Sequence, residues 1–507
     1  MRARFFIPAA ILLLCVCRTK DVEIPDTISI SVPYELESLD PHSQYRVGDF
    51  ALASHFYEPL VRADAESKVR PCLAQSWESR DPQTWIFHLT SAARFHSGKR
   101  VSAQDVVYSI RRLMGDPSLR IRTMVSSVSD VTALDPLRVQ IRLQRPLSTF
   151  LNKLTFVLII PEGTPSSRLA EREDGTGPYR LVRWVKGQWV DIQRNEEYWG
   201  QRPALQRVRL HLGRSPVEAR RDLLAGQSQF VQCNDKRLRQ TIAWKGDYQV
   251  REHESLFVKY LSFDMARETT PFSSATSNPF RSKRVRQAIR EAIDRKRLVD
   301  SLSVWATPVN QPVPHFVFGF NPEIREPSHH PEEARWLLRS AGYPDGFSVV
   351  LHTPQVLSAP SEQISAQLRQ IGIKIDVEVL ADAQFFDTVN RGDTSFYISG
   401  FGCITGDASD VLEDCLHTPD PVGRYGGSNY GRYSNPTLDQ AIEASGWATS
   451  PQQRRRELQQ IMMEAAVDLP WIPLYVDREV WGFHSYLRWR PRDDSAVLAQ
   501  EIQLVNE

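Results

Sequence analysis

Pro331-Glu-Glu-Ala-Arg-Trp-Leu-Leu-Arg-Ser-Ala-Gly342 is followed by Phe347-Ser-Val-Val-Leu-His352 and, further on, by Ile373-Lys-Ile-Asp-Val-Glu-Val379. This run decides the fold class. The first segment begins with proline, carries two acids in its first turn and stops at glycine, which is the charge and capping order of a helix. The two later segments are rich in β-branched residues and short enough to be strands, and the stretch between them reads as a helix ending near Gly372. Strand and helix alternate, so the C-terminal half is built from βα units. Val285, Ala288, Ile289, Ala292 and Ile293 give an earlier apolar helical stripe with Lys283 and several arginines outside it, read as a solvated face.

The N-terminal half is richer in strands. Thr27 to Val32 alternates like a half-buried strand, as do Trp85, Phe87 and Leu89, and Val139, Ile141 and Leu143. Tyr179 to Arg194 reads as a hairpin turning at Lys186-Gly187. Ser102 and Asp105 form a capping-box pattern ahead of Val106, Ile110 and Leu113, and Ser450-Pro451 opens a second helix carrying Leu458, Ile461, Met462 and Ala465.

The 507 residues suggest three domain-sized units at ~150 residues each. Twelve Trp, 15 Tyr and 22 Phe exclude a disordered chain. With 62 basic against 61 acidic residues there is no global field for a polyanion, so a nucleic-acid partner is not expected. One short apolar run, Phe5 to Val16 after Arg2 and Arg4, reads as an export signal over residues 1–16. Its removal takes two positive charges and no acids, moving the formal charge from +1 to −1. The cysteine that follows, Cys17, with Cys15 as the alternative, resembles the lipidation site of bacterial lipoproteins, although neither has the small residues usual before it. The expected location is therefore outside the cytoplasm, periplasmic or held at a membrane surface by a lipid anchor.

Cys72, Cys233, Cys403 and Cys415 remain, without zinc-ligand spacing. Cys403 and Cys415 could close a small disulfide loop in an oxidising compartment, or both could be buried thiols. The adjacent His329-His330 reads as a solvated turn before a helix, and no metal or cofactor is expected. No nucleophile elbow, zinc-protease helix, Walker loop or dinucleotide fingerprint is present. An exported α/β chain lacking these points to binding, and no catalytic residue is assigned.

Eight segments in order then resemble one family. They are Leu73-Ala-Gln-Ser-Trp77 with Trp85 to Leu89, Phe95-His-Ser-Gly98 with Ser102 to Ser109, Gly175-Thr-Gly-Pro-Tyr179, Asn195-Glu-Glu-Tyr-Trp-Gly200, Val285 to Asp294, Ala341-Gly-Tyr-Pro-Asp-Gly346 with Leu368 to Ile373, Tyr433-Ser-Asn-Pro436 with Asp439, and Pro470-Trp-Ile-Pro-Leu-Tyr475. Together they resemble the peptide/nickel class (oligopeptide- and dipeptide-binding proteins) of bacterial extracellular solute-binding proteins that feed ABC importers. The resemblance implies an α/β, two-lobed periplasmic-binding-protein fold with an inserted subdomain and a hinge. Lobe I would take residues 25–60, 175–262 and 470–507, the inserted subdomain 61–174, and lobe II 263–469. Hinges would lie near Ser262-Phe-Asp264 and Pro470-Trp471, and closure of the lobes around a solute would be the mechanism. The implied partners are a peptide or peptide-like ligand and the importer permease, with the receptor itself a monomer; nickel chelates and haem are variants within the class.

In peptide-binding members an aromatic residue is followed three positions later by an aspartate that holds the peptide ammonium. Here Phe401 takes the aromatic place and Ile404 stands where the aspartate should be, with Asp407 and Asp410 beyond it. Three readings stay open: a loop shift that lets Asp407 serve, a ligand without a free amine at that point, or a different register. The other expected ligand contacts are Tyr34 and Glu35 after the first strand, and Tyr425 and Tyr430 in the loop Arg424 to Arg432. From a different class, Asp407 and Asp410 as paired carboxylates would make an exported hydrolase; a surface adhesin is a third reading.

Overall fold

The computed structural model describes residues 24–43, 46–242, 245–325, 329–420, 425–448 and 450–505. The export signal, Cys15, Cys17 and Arg424 lie outside these residues.

Two long strands, Tyr248–Phe263 and Trp471–His484, run antiparallel through the middle of an eleven-stranded sheet. On one side the sheet continues through Phe396–Gly402, Phe347–Pro354 and Ile373–Leu380; on the other through Phe230–Gln232, Thr27–Ser31, Arg207–His211 and the hairpin Tyr179–Val185/Trp189–Arg194. Both strand runs quoted first above are present, and they pair in parallel from Phe347↔Ile373 to Pro354↔Leu380. The hairpin turns at Gly187, whose φ of 70° suits glycine. The ladder of the two long strands shifts register between Glu254 and Val258 and again at Lys259/Tyr260. That irregularity falls before the expected crossover at Ser262: up to Glu254 the strand neighbours the lobe I side, and from Phe257 it also pairs with Phe396–Gly402.

Separate cores explain the lobes. Ile30, Tyr57, Tyr179, Phe230, Trp481 and Val497 bury together on the lobe I side, and Leu158, Ile160 and Leu169 pack into the same core. Phe263, Phe280, Val285, Ile289, Leu351, Ile364 and Phe396 form the first core of lobe II. A second, around Tyr260, Phe385, Leu412, Leu458 and Trp471, lies under the loop carrying Asp407. Between the lobe I segments, the antiparallel sheet of Ala74–Asp81, Thr84–Leu89, Arg138–Leu143 and Val128–Asp135 is covered by the helix Ala103–Gly115. Phe87, Val106, Ile110, Val139 and Ile141 fill the space between them. The Ser102/Asp105 capping box forms, and Asp105 is buried because Lys99 and the Glu162 amide also bind it.

The basic run Arg281 to Arg297 differs from its reading as a solvated face. Arg286 is buried and donates to the carbonyls of Phe280, Asp468 and Leu469 at 2.7–3.0 Å. Arg295, also buried, donates to Pro473 O at 2.9 Å. Each lends a fixed charge to carbonyls where the chain leaves lobe II. The helical period could not reveal this, because three of the four acceptors, Asp468, Leu469 and Pro473, lie more than 170 residues away in sequence.

Candidate functional site

Lobe I, lobe II and the inserted subdomain meet around two adjoining cavities. The larger, about 1220 Å³, is walled by Tyr57, Asn152, Phe156, Trp489 and Arg492 and reaches lobe II at Ile404 and Thr405. The other, about 1060 Å³, lies between the inserted subdomain and lobe II, among Trp85, Phe316, Phe318, Trp447 and Arg455. Ser67 and Asn152 line both, so they form the partition.

Across the partition the two faces touch. Asn152 Nδ2 donates to Thr405 O at 3.0 Å, and Ser148 Oγ lies within hydrogen-bond reach of the carbonyls of Gly446 (2.9 Å) and Ala448 (3.0 Å). Gly406 sits so close to Ser67 that a Cβ there would lie 2.6 Å from the serine Cβ, and its φ of 73° already excludes most side chains. Lys153 of the inserted subdomain enters an acidic pocket of lobe II, 3.6 Å from Glu413 and facing Asp410 and Asp414. Burial pulls the Lys153 ammonium down, but the three acids outweigh it and leave its pKa above the usual lysine value. Arg145 adds a cation over the Tyr425 ring at 4.5 Å.

In the loop singled out in the sequence, both aspartates have partners within the protein. Asp407 is buried; its Oδ1 accepts from Arg454 Nη2 at 2.8 Å, Ser409 N at 2.9 Å and Ser409 Oγ at 2.6 Å, while Arg454 Nη1 takes Oδ2. Its charge is already matched by Arg454, and its residue borders the cavity of about 1060 Å³. Asp410 accepts from Thr405 N at 2.9 Å, and burial, partly offset by that hydrogen bond and by Lys153, pushes its pKa up to about 7. Each acid is engaged by a different cation, so they do not face a common substrate, and the paired-carboxylate hydrolase is set aside. Ile404 does line the larger cavity.

The other expected contacts lie around the cavities and are absent from the lining. Phe401 packs edge-on to Trp471, ring centroids 6.4 Å apart, behind the loop. Tyr34 lies against Gly48, where a Cβ would meet its ring at 2.3 Å, and burial raises its phenol above the usual range. Glu35 is exposed beside Gly213. Tyr425 stacks on His417 at 4.2 Å beneath Arg145, its pKa pushed up to about 12 by burial, and Tyr430 sets its ring against Tyr397 at 6.5 Å. The lobe I wall went unread: Trp489 and Arg492 follow the last long strand, and Arg492 is held by Asp494 and Glu501 at 2.7 Å each. The charged run Arg490-Pro-Arg-Asp-Asp494 was the available signal.

Cys403 and Cys415 are buried free thiols whose pKa values burial raises, so the disulfide alternative is not realised. Glu291, His330 and Glu333 bring ligand atoms within 4.8 Å of one another, but Arg290 already occupies Glu291 at 2.7 Å and opposes a cation there.

The description of bacterial extracellular solute-binding proteins, family 5 (middle region), matches residues 68–421. The chain belongs to this family. Among curated relatives of this family 5 protein, the glutathione-binding protein GsiB of Salmonella paratyphi A is 26% identical over 475 residues, covering 89% of each chain. Heme-binding protein A of Haemophilus influenzae is 25% identical over 463 residues, covering 84% of this chain and 82% of the relative. The structure of the Helicobacter pylori periplasmic binding protein DppA, in complex with the peptide STSA, superposes with a TM-score of 0.80 at 20% identity, covering 94% and 98% of the two chains. That of Campylobacter jejuni NikZ, in complex with Ni(L-His), gives 0.77 at 20%, covering 95% and 100%. These likenesses give the fold, the two-lobed α/β architecture of periplasmic binding proteins. As a family 5 protein the chain is a solute receptor of an ABC importer and not an enzyme. No helix among the described residues is long and apolar enough to cross a membrane.

Proposed function

We propose that this family 5 protein binds a peptide-like solute in the larger cavity and delivers it to its importer as an exported, lipid-anchored monomer. The observation that carries this reading is the cavity of about 1220 Å³ whose walls come from lobe I, the inserted subdomain and the Ile404–Thr405 segment of lobe II. A solute there touches every moving part, so contacts made only when the lobes meet shift the open–closed balance toward closure. The long strands Tyr248–Phe263 and Trp471–His484 carry the rotation, with their register shift at Glu254/Val258 as the place where it is absorbed.

The proposed division keeps residues 25–60, 175–262 and 470–507 as lobe I, 61–174 as the inserted subdomain and 263–469 as lobe II. Residues 1–16 act as the export signal and Cys17, or Cys15, takes the lipid. An acyl anchor would hold the receptor within reach of the permease without a spanning helix. Ile404 supports a ligand that brings no free amine to that wall, because burying an unpaired ammonium against it would cost several kcal/mol.

Native purification followed by mass spectrometry of released small molecules tests the reading. Recovery of a discrete set of peptide-like solutes, each raising the melting temperature of the emptied protein, is the expected result. Proteins that yield no solute and respond to none would sink it. Retention of label from a radioactive fatty acid in the wild type, lost on Cys17→Ser, tests the anchor.

A further inference from the structure

Resting on the solute-receptor reading, we propose that the larger cavity selects solutes carrying a carboxylate, and that Arg62 is the residue that receives it. Six arginines line this cavity. Five of them are answered. Arg70 is paired with Asp64 at 2.8 Å, and Arg490 with Glu66 at 2.8 Å. Arg194 and Arg202 share Glu196 at 2.9 and 3.3 Å, and Arg492 takes both Asp494 and Glu501.

Arg62, in the short strand Val61–Ala63, is exposed and makes no hydrogen bond or ion pair among the described residues. The carboxylates that feel its charge are Glu58 and Glu501. Both are occupied. Glu501 is bound by Arg492, and Glu58 is buried while accepting from Tyr198 Oη at 2.7 Å and from Thr176 Oγ1 and Trp199 Nε1 at 2.8 Å. Arg62 is therefore the one arginine of this lining whose guanidinium no acid among the described residues holds.

The facing wall agrees. Among the described residues lobe II contributes Ile404 and Thr405 to the lining, and neither carries charge. Asp407 is turned to Arg454 and Asp410 to the Thr405 amide and Lys153, so no acid of this loop repels an anion. A guanidinium at the wall of a closing cleft, with water leaving as the lobes meet, binds a carboxylate through two parallel N–H bonds; an ammonium in its place would be a point charge without that geometry.

Full-length protein lacking only its export signal, refolded free of solute, is titrated by calorimetry with three probes: N-acetyl-Ala-Ala-Glu, its neutral analogue N-acetyl-Ala-Ala-Gln-amide, and Ala-Ala-Lys-amide. The dianionic probe is expected to bind at least tenfold tighter than the other two, with an affinity that falls as salt rises. Arg62→Ala should abolish that preference, Arg62→Lys should keep part of it, and Ile404→Asp should reverse it; melting curves confirm that each variant is folded. A preference for the cationic or neutral probe, or an unchanged order in Arg62→Ala, overturns the proposal while leaving the receptor reading intact. The solute released from native protein provides a second measure: a molecule carrying a carboxylate supports the proposal and one without any carboxylate refutes it. If nothing is released and no probe binds, the receptor reading itself falls, and this inference with it.

Discussion

The two walls of the cleft handle charge in opposite ways. On the lobe II wall the acids of the loop are answered from within the protein: Asp407 by Arg454, Asp410 by the Thr405 amide and Lys153, Glu413 by Lys153. On the other wall Arg62 is left over after five arginines have found acids. The difference teaches that a carboxylate in a recognition loop need not recognise anything. Asp407 ties the loop to the helix Pro451–Asp468, and through it holds Ile404 and Thr405 in place.

The largest way to break the comparison is to strip the lobe II wall of its internal answer. Arg454→Ala leaves Asp407 buried and unpaired, which should cost about 3–5 kcal/mol of stability in urea unfolding. Asp407→Ala in the same chain should restore part of it, and solute affinity measured on folded Asp407→Ala protein should stay within about twofold of wild type. A large, specific loss of affinity would return Asp407 to the ligand site.

A smaller effect concerns pH. The folded pKa of Asp410, pushed up by burial to about 7, lies above that of an unfolded aspartate, so the folded state prefers the protonated acid. Its contribution is fully favourable below about pH 4 and is lost as pH rises to about 7. Asp410→Asn should therefore stabilise the protein by on the order of 2 kcal/mol at pH 8, with the gain vanishing near pH 4. A gain that grows on acidification would contradict the assignment.

Lys153→Ala removes the charge that joins the inserted subdomain to lobe II. Because that contact exists only where the two faces meet, solute affinity should fall by about tenfold, chiefly through faster release. Glu35→Gln is the smallest test. An exposed residue outside both cavity linings should change stability by no more than about 0.5 kcal/mol and leave affinity unchanged; a measurable loss would bring the loop after the first strand back to the site.

Much of the architecture could be read locally. The Ser102 and Ser450 caps, the hairpin at Gly187 and the parallel strands after Pro331 are written in neighbouring residues, since caps, turns and alternation act over a few positions. The site was legible only in part. Ile404 was found because it breaks a pattern, yet Tyr34, Phe401 and Tyr425, chosen from the same loops, turn into packing against Gly48, Trp471 and His417. Direction of a side chain depends on the partner it meets, and those partners are distant in sequence.

The sequence by itself determined the family, the alternation of strand and helix, and the absence of an aspartate at position 404. Only the tertiary structure decided which charges are spent and which is left. Net charge is +1 over the whole chain, yet whether any one arginine is free depends on the acids within ~4 Å of it. Arg490 meets Glu66 and Arg454 meets Asp407 across 424 and 47 residues of chain, while Arg62 meets no such partner among the described residues. Pairing at that range is a property of folded geometry, because Coulomb attraction and hydrogen bonding act over a few ångströms of space and take no account of distance along the chain.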